Sequence, residues 1–144
     1  MTPATRAKAF IVALGLLVGC LAGAHAQTLK IGVIAPLTGG GAPWGLAAAH
    51  AAKIVAAETN ARGGLEVGGA RYQVEVVAYD DQFKAADSVA AYNRLVNHDG
   101  VKFVIVYTSP AALALKQRVE SDDVVALTAA YSDKALDAST KRLF

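Results

Sequence analysis

An α/β domain, with a parallel sheet and helices on both faces, is predicted by three features of this sequence. Short apolar runs rich in β-branched residues alternate with helical stretches of crossover length, in the order βαβαβαβ. The runs are apolar along much of their length, as strands covered on both faces must be. Gly, Pro and Asp punctuate the joints, and no repeat or low-complexity segment intervenes. The crossovers should be right-handed.

The first strand is Leu29-Lys30-Ile31-Gly32-Val33-Ile34-Ala35, ended by Pro36 and the Thr38-Gly39-Gly40-Gly41 cluster. Trp44 to Ala61 is Ala-rich without internal Pro, so it is a predicted helix. Ala48, Ala52, Val55 and Ala56 would form its apolar stripe, small enough for close approach to a sheet. Arg62-Gly63-Gly64 stops it, since Gly takes positive φ freely. Gly68-Gly69 is a turn. Tyr72 to Tyr79 is the second strand, closed by Asp80-Asp81. Lys84 to His98 is a helix with Ala86, Val89, Leu95 and Val96 inward, stopped by Asp99-Gly100. Val101 to Tyr107 is the third strand. A helix runs from about Pro110 to Ser121, with Ser109 at its N-cap. Val124 to Thr128 is the fourth strand, and another strand starts near Lys141–Phe144. The sheet edge after the fourth strand is expected to lack a neighbour, which invites association.

Residues 1–26 have the form of an export signal. Arg6 and Lys8 precede an apolar run from Ala9 to Leu21, and Ala24-His25-Ala26 is a small-x-small cleavage site. The run is shorter than the roughly 20 residues that span a bilayer core. The expected location is the periplasm. An overlapping signal, Leu17-Val18-Gly19-Cys20, has the form of a lipoprotein site, which would anchor the chain through Cys20. Both processing routes stay open. Residues 27–144 are enough for one small domain.

Composition excludes several functions. The formal charge is +2, from 14 basic and 12 acidic residues. Arg6 and Lys8 are the excess, so the chain from Gln27 onward is balanced. It offers no basic footprint for nucleic acid and no polybasic patch for lipid. Cys20 is the sole cysteine, which rules out an internal disulfide and a Cys-based metal site. His25, His50 and His98 show no metal-ligand spacing, so neither a metal nor a cofactor is expected.

Ligands of such sheets bind at the carboxyl ends of the strands, at a topological switch point. Leu37–Trp44, Thr108–Ala111 and Ala129–Asp133 occupy those ends. The first loop fails as a dinucleotide fingerprint, because the third glycine of G-x-G-x-x-G would fall on Trp44. Trp44 is either a flat wall over a ligand or a ring packed on the sheet edge. Thr108-Ser109-Pro110 offers a hydroxyl and backbone N–H groups at a helix start, which suits a carboxylate or simply caps the helix. Thr128-Ala129-Ala130-Tyr131-Ser132 presents carbonyls and a hydroxyl beside it, or is a plain strand exit. Asp80-Asp81 is a solvated turn or, less commonly, a cation or acid/base pair. No G-x-S-x-G elbow and no Ser/His/Asp set is present, so nothing argues for catalysis.

Five stretches in this order resemble the branched-chain amino-acid (Leu/Ile/Val) type of periplasmic substrate-binding protein of ABC importers. They are IGVIAPLTG (31–39), AAKIVAAETNARGG (51–64), Tyr79-Asp80-Asp81, LVNHDGVKFVI (95–105) and LTAAYS (127–132). That family folds as two α/β lobes joined by a hinge, with the ligand closed between them. The resemblance implies that residues 27–144 are the N-terminal part of a first lobe, the second lobe being absent. It implies a solute receptor, not an enzyme, that passes an amino acid or related carboxylate or amide to a membrane permease. It also implies that Ser109 holds the ligand carboxylate and that Ala130 meets the ligand through its main chain. Ser132 would supply a hydroxyl where the family commonly has Thr, and Trp44 an aromatic where it often has Tyr. The family's loop disulfide would fall at Phe83 and Thr108, so it is missing. An extracellular sensor domain of the same fold and an exported α/β enzyme are the alternative readings.

Overall fold

The computed structural model describes residues 27–144. The export signal and Cys20 lie outside the described residues. Within them the chain forms β1 (Gln27–Ala35), a 3₁₀ turn (Gly39–Gly41), α1 (Ala42–Ala61), β2 (Leu65–Val67) and β3 (Ala70–Asp80). Then follow α2 (Ala85–Asn97), β4 (Phe103–Val106), α3 (Ser109–Ser121) and β5 (Val125–Thr128). One five-stranded sheet results, in the order β2-β3-β1-β4-β5. The βαβαβαβ prediction holds for the four parallel strands. β2 is an addition: an antiparallel edge strand that pairs Leu65 with Tyr72 and Val67 with Ala70 across the Gly68-Gly69 turn.

The parallel register places Ile31 beside Val76 and Phe103, and Ile105 beside Leu127. Strand residues therefore sort into two faces. Val33 and Ala35 pack with Ala49 of α1, with Ile105 and Tyr107 on the same side. Ile34, Val104, Val106 and Ala126 pack with Tyr92 and Leu95 of α2 and Leu115 and Val119 of α3. Helices do cover both faces, unevenly. The α2/α3 side holds the larger core. On the α1 side a single helix leaves Phe103 and Leu127 exposed.

Most of each predicted helix stripe does face the sheet: Ala56 is buried and Ala52 packed in α1, and Leu95 is buried with Val89 and Val96 packed beside it in α2. In α1 the buried positions are Gly45, Ala49 and Ala56, while Val55 is 61% exposed. In α2, Ser88, Ala91, Tyr92 and Leu95 are buried, and Ala86 faces solvent. The approach of α1 to the end of β1 is close. A Cβ on Gly45 would stand 1.9 Å from the Pro36 carbonyl oxygen, so the helix meets the end of β1 at its glycine. That contact sets which face turns inward.

The stop after α1 has a physical explanation. Gly63 and Gly64 take φ of 97° and 90°. Asn60 Nδ2 donates to the Val74 carbonyl and its Oδ1 accepts from the Val74 amide, both at 2.8 Å. The pairing of β2 with β3 ends at Tyr72, so the Asn60 side chain takes the next place along that edge. At the opposite edge, Leu143 pairs in parallel with Ala126, and the Phe144 amide donates to the Ala126 carbonyl. The predicted strand start is thus present, and the edge after β5 is not bare. Arg142 pairs with Asp123, and Glu120 accepts from the Lys141 and Arg142 amides, which holds this tail down.

Candidate functional site

Without its antiparallel edge strand the sheet order is the doubly wound 2-1-3-4 pattern. Its switch point lies between β1 and β4, because the crossovers leave those strands toward opposite sides. The loops beyond β1 and β4 flank that point, and the loop beyond β5 lies next to them.

Ser109 is the first residue of α3 rather than its cap. Thr108 has extended backbone and its Oγ accepts from the Ala111 amide at 3.3 Å, so Thr108 is the N-cap. Pro110 is compatible with the second helical position as well as the first, which is why the sequence did not separate the two. The N–H groups expected at this helix start are mostly engaged. Pro110 has none, and the Ala111 and Ala112 amides go to Thr108. Ser109 Oγ accepts from the Tyr131 amide at 3.0 Å. That bond occupies a lone pair of the hydroxyl and leaves its hydrogen able to donate.

The same bond joins α3 to the loop after β5. Thr128 Oγ donates to the Val106 carbonyl and accepts from the Ala130 amide. Ala130 is half-buried against the core. Ser132 is half-buried, and its Oγ accepts from Lys134 N at 3.3 Å, so its hydrogen can also donate. Ser109 is thus tied to Tyr131, the residue between Ala130 and Ser132. Tyr131, which sequence reasoning did not single out, is fully exposed between them. Trp44 lies in the first turn of α1 and is 62% exposed, so it is not packed on the sheet edge. Trp44 makes none of the hydrogen bonds that link the other loops.

Asp80 and Asp81 are not a solvated turn. Asp80 Oδ1 accepts from the Leu37 and Gln82 amides, and Oδ2 accepts from Thr38 Oγ. Burial pushes its pKa up, but the bonds from Thr38 and the two amides outweigh that, and the carboxyl lies below its ordinary value. Asp81 is completely buried. Its Oδ1 accepts from the Phe83 amide at 2.9 Å, and its Oδ2 from Ser88 Oγ at 3.1 Å and Thr108 Oγ at 3.4 Å. Neither aspartate forms an ion pair among the described residues. They are ties between loops: Asp80 holds the loop after β1, and Asp81 joins α2 to the start of α3. No group of three His, Cys, Asp or Glu side chains among the described residues could hold a metal.

In doubly wound sheets the loops at the switch point are where ligands bind. The profile of the periplasmic binding protein family matches residues 28–144. The chain belongs to that family. It is 30% identical over 129 residues to the Leu/Ile/Val-binding protein of Escherichia coli K12, covering 85% of this chain and 34% of that protein. Among solved structures it resembles a fatty acid ABC transporter substrate-binding protein from Thermomonospora curvata. There the TM-score is 0.71 at 31% identity, covering 81% of this chain and 28% of the other. It also resembles a branched-chain amino acid transporter substrate-binding protein from Streptococcus pneumoniae in complex with isoleucine. That match has a TM-score of 0.70 at 28% identity, over 82% of this chain and 33% of the other. The chain spans about a third of the length of the curated relative.

Proposed function

We propose that this chain is part of the first lobe of a periplasmic solute receptor serving an ABC importer. It captures a small carboxylate, an amino acid or a related compound, and delivers it to a membrane permease without chemical change. The observation that carries this reading is the Ser109–Tyr131 bond. It fixes one hydroxyl at the positive end of α3, with its hydrogen able to donate, close to Ala130 and Ser132. Isoleucine and fatty acids, the ligands named for two of the resembled structures, share a carboxylate. Ser109 and Ser132 are the proposed donors to it, the Ala130 main chain the proposed contact to the ligand's other polar end, and Trp44 an outer wall. Capture is completed by hinge closure of a second lobe over the ligand.

The test is a thermal-shift screen of the full-length mature protein against amino acids, amides, urea and aromatic and fatty acids. A bound ligand raises the melting temperature by mass action. A carboxylate hit is expected. The Ser109→Ala/Ser132→Ala variant should then bind it at least about tenfold more weakly, as befits losing hydrogen bonds to a charged group. Unchanged affinity would remove these serines from the site.

A further inference from the structure

We propose that Asp81 is a positioning residue that sets the N-terminal turn of α3, and through it the Ser109 hydroxyl. The consequence for affinity rests on the function proposed above. Four elements, β1, β3, α2 and α3, meet at this residue. The Asp81 amide donates to the Ala35 carbonyl at the end of β1, and its own carbonyl accepts from Lys84 at the entry to α2. Its side chain accepts from Thr108 at the start of α3 and shares the one hydroxyl hydrogen of Ser88 in α2 with the Lys84 carbonyl. Thr108 is 4% exposed, so solvent is not at hand to satisfy its hydroxyl. That hydroxyl has one hydrogen. Donated to Asp81, it turns a lone pair toward the Ala111 amide, and this is the capping bond of α3. An asparagine here keeps one acceptor oxygen, which the Phe83 amide at 2.9 Å holds, so its NH2 faces the Thr108 hydroxyl, competes for the lone pair that caps α3, and weakens the cap. Ser109 is the next residue, so the direction of its hydroxyl depends on that turn. The same carboxylate holds Phe83 at a φ of 63°, a left-handed conformation that a bulky residue adopts only when its surroundings enforce it.

The test uses Asp81→Asn, Thr108→Val, Thr108→Ser, Ser88→Ala and the Asp81→Asn/Thr108→Val double variant of the full-length protein. Amide exchange at Ala111 and Tyr131, melting temperature and ligand affinity are all measured. Thr108→Val should speed exchange at Ala111 by about tenfold. It should weaken binding by about fivefold, the worth of one ordinary hydrogen bond. Thr108→Ser should restore both. Ser88→Ala removes the other hydroxyl on the same oxygen and should lower the melting temperature while sparing affinity and Ala111. Asp81→Asn should match Thr108→Val at Ala111, and the double variant should be no worse than the worse single. Wild-type exchange at Ala111 in Asp81→Asn, or effects that multiply in the double variant, would overturn the proposal. If Asp81→Asn does not fold, the contrast between Thr108→Val and Ser88→Ala decides: equal effects on affinity overturn it. If the wild-type protein binds none of the screened ligands, the receptor reading fails by itself, and exchange at Ala111 and Tyr131 still decides the role of Asp81.

Discussion

Asp80 shows how a single carboxylate at a strand end can organise the loops around it. Two amides and a hydroxyl from separate turns converge on it, and together they hold its pKa below the ordinary 3.8. A carboxyl lowered in the folded state adds stability above its unfolded pKa and loses it as pH falls through the folded value. Asp99, Glu120 and Asp137 are lowered too, so acid sensitivity as a whole cannot be credited to Asp80. The informative quantity is a difference. Above pH 5 the wild type should melt at a higher temperature than Asp80→Asn, and the gap should close as the pH drops below 3.8. A gap that is constant across melting curves from pH 7 to 2.5 would mean the loop after β1 is held by something else. The burial of Asp81 was not legible in the sequence. A carboxylate pair beside a turn looks solvated until three other elements are brought against it, and only the fold does that. Thr108 was hidden for a simpler reason, since Thr-Ser-Pro offers two hydroxyls that could each cap.

Among the elements, the joint between α1 and β3 explains a sequence motif in physical terms. In Asn60-Ala61-Arg62-Gly63-Gly64 the glycines turn the chain, and the asparagine amide completes the β3 edge at Val74. Asn60→Ala removes both bonds and leaves a half-buried donor and acceptor without partners. The expected loss is about 1–3 kcal/mol in chemical denaturation. Asn60→Asp should be nearly as costly, because a carboxylate cannot donate to the Val74 carbonyl. Parallel strands and helices were legible because each strand is an apolar run between turn residues. β2 was not. Leu65, Glu66 and Val67 are three exposed residues with no alternation long enough to register, and only pairing across Gly68-Gly69 makes them a strand. The helix faces were legible apart from Val55 and Ala86, which are exposed; the Ala-rich α1 has apolar residues nearly all round, so its pattern alone does not fix its rotation. The Gly45 contact with Pro36 decides its rotation.

For the whole molecule, the uneven cover of the sheet has a measurable result. Between α1 and the strands runs an apolar groove of about 490 Å³, lined by Leu29, Ile31, Val55, Val74 and Ile105 among others. A second, of about 530 Å³, continues past Leu65, Tyr72 and Phe103. Contiguous apolar surface of this kind drives association. Residues 27–144 produced alone should bind a hydrophobic dye and self-associate at micromolar concentration. Leu127→Lys, at a 56% exposed position on the same face, should reduce the association seen by light scattering. A monodisperse, dye-silent domain would show that this face is stable in water as it stands.

The tie at Asp81 joins the end of β3 to the start of α3 through oxygen and nitrogen alone, near the positions where the family resemblance places a disulfide. Cys20 is the only sulfhydryl in the chain, so folding requires no oxidant and no partner thiol must be found. The chain can therefore reach its native loop geometry in a reducing compartment as readily as in an oxidising one. Its melting curve should be the same with and without dithiothreitol.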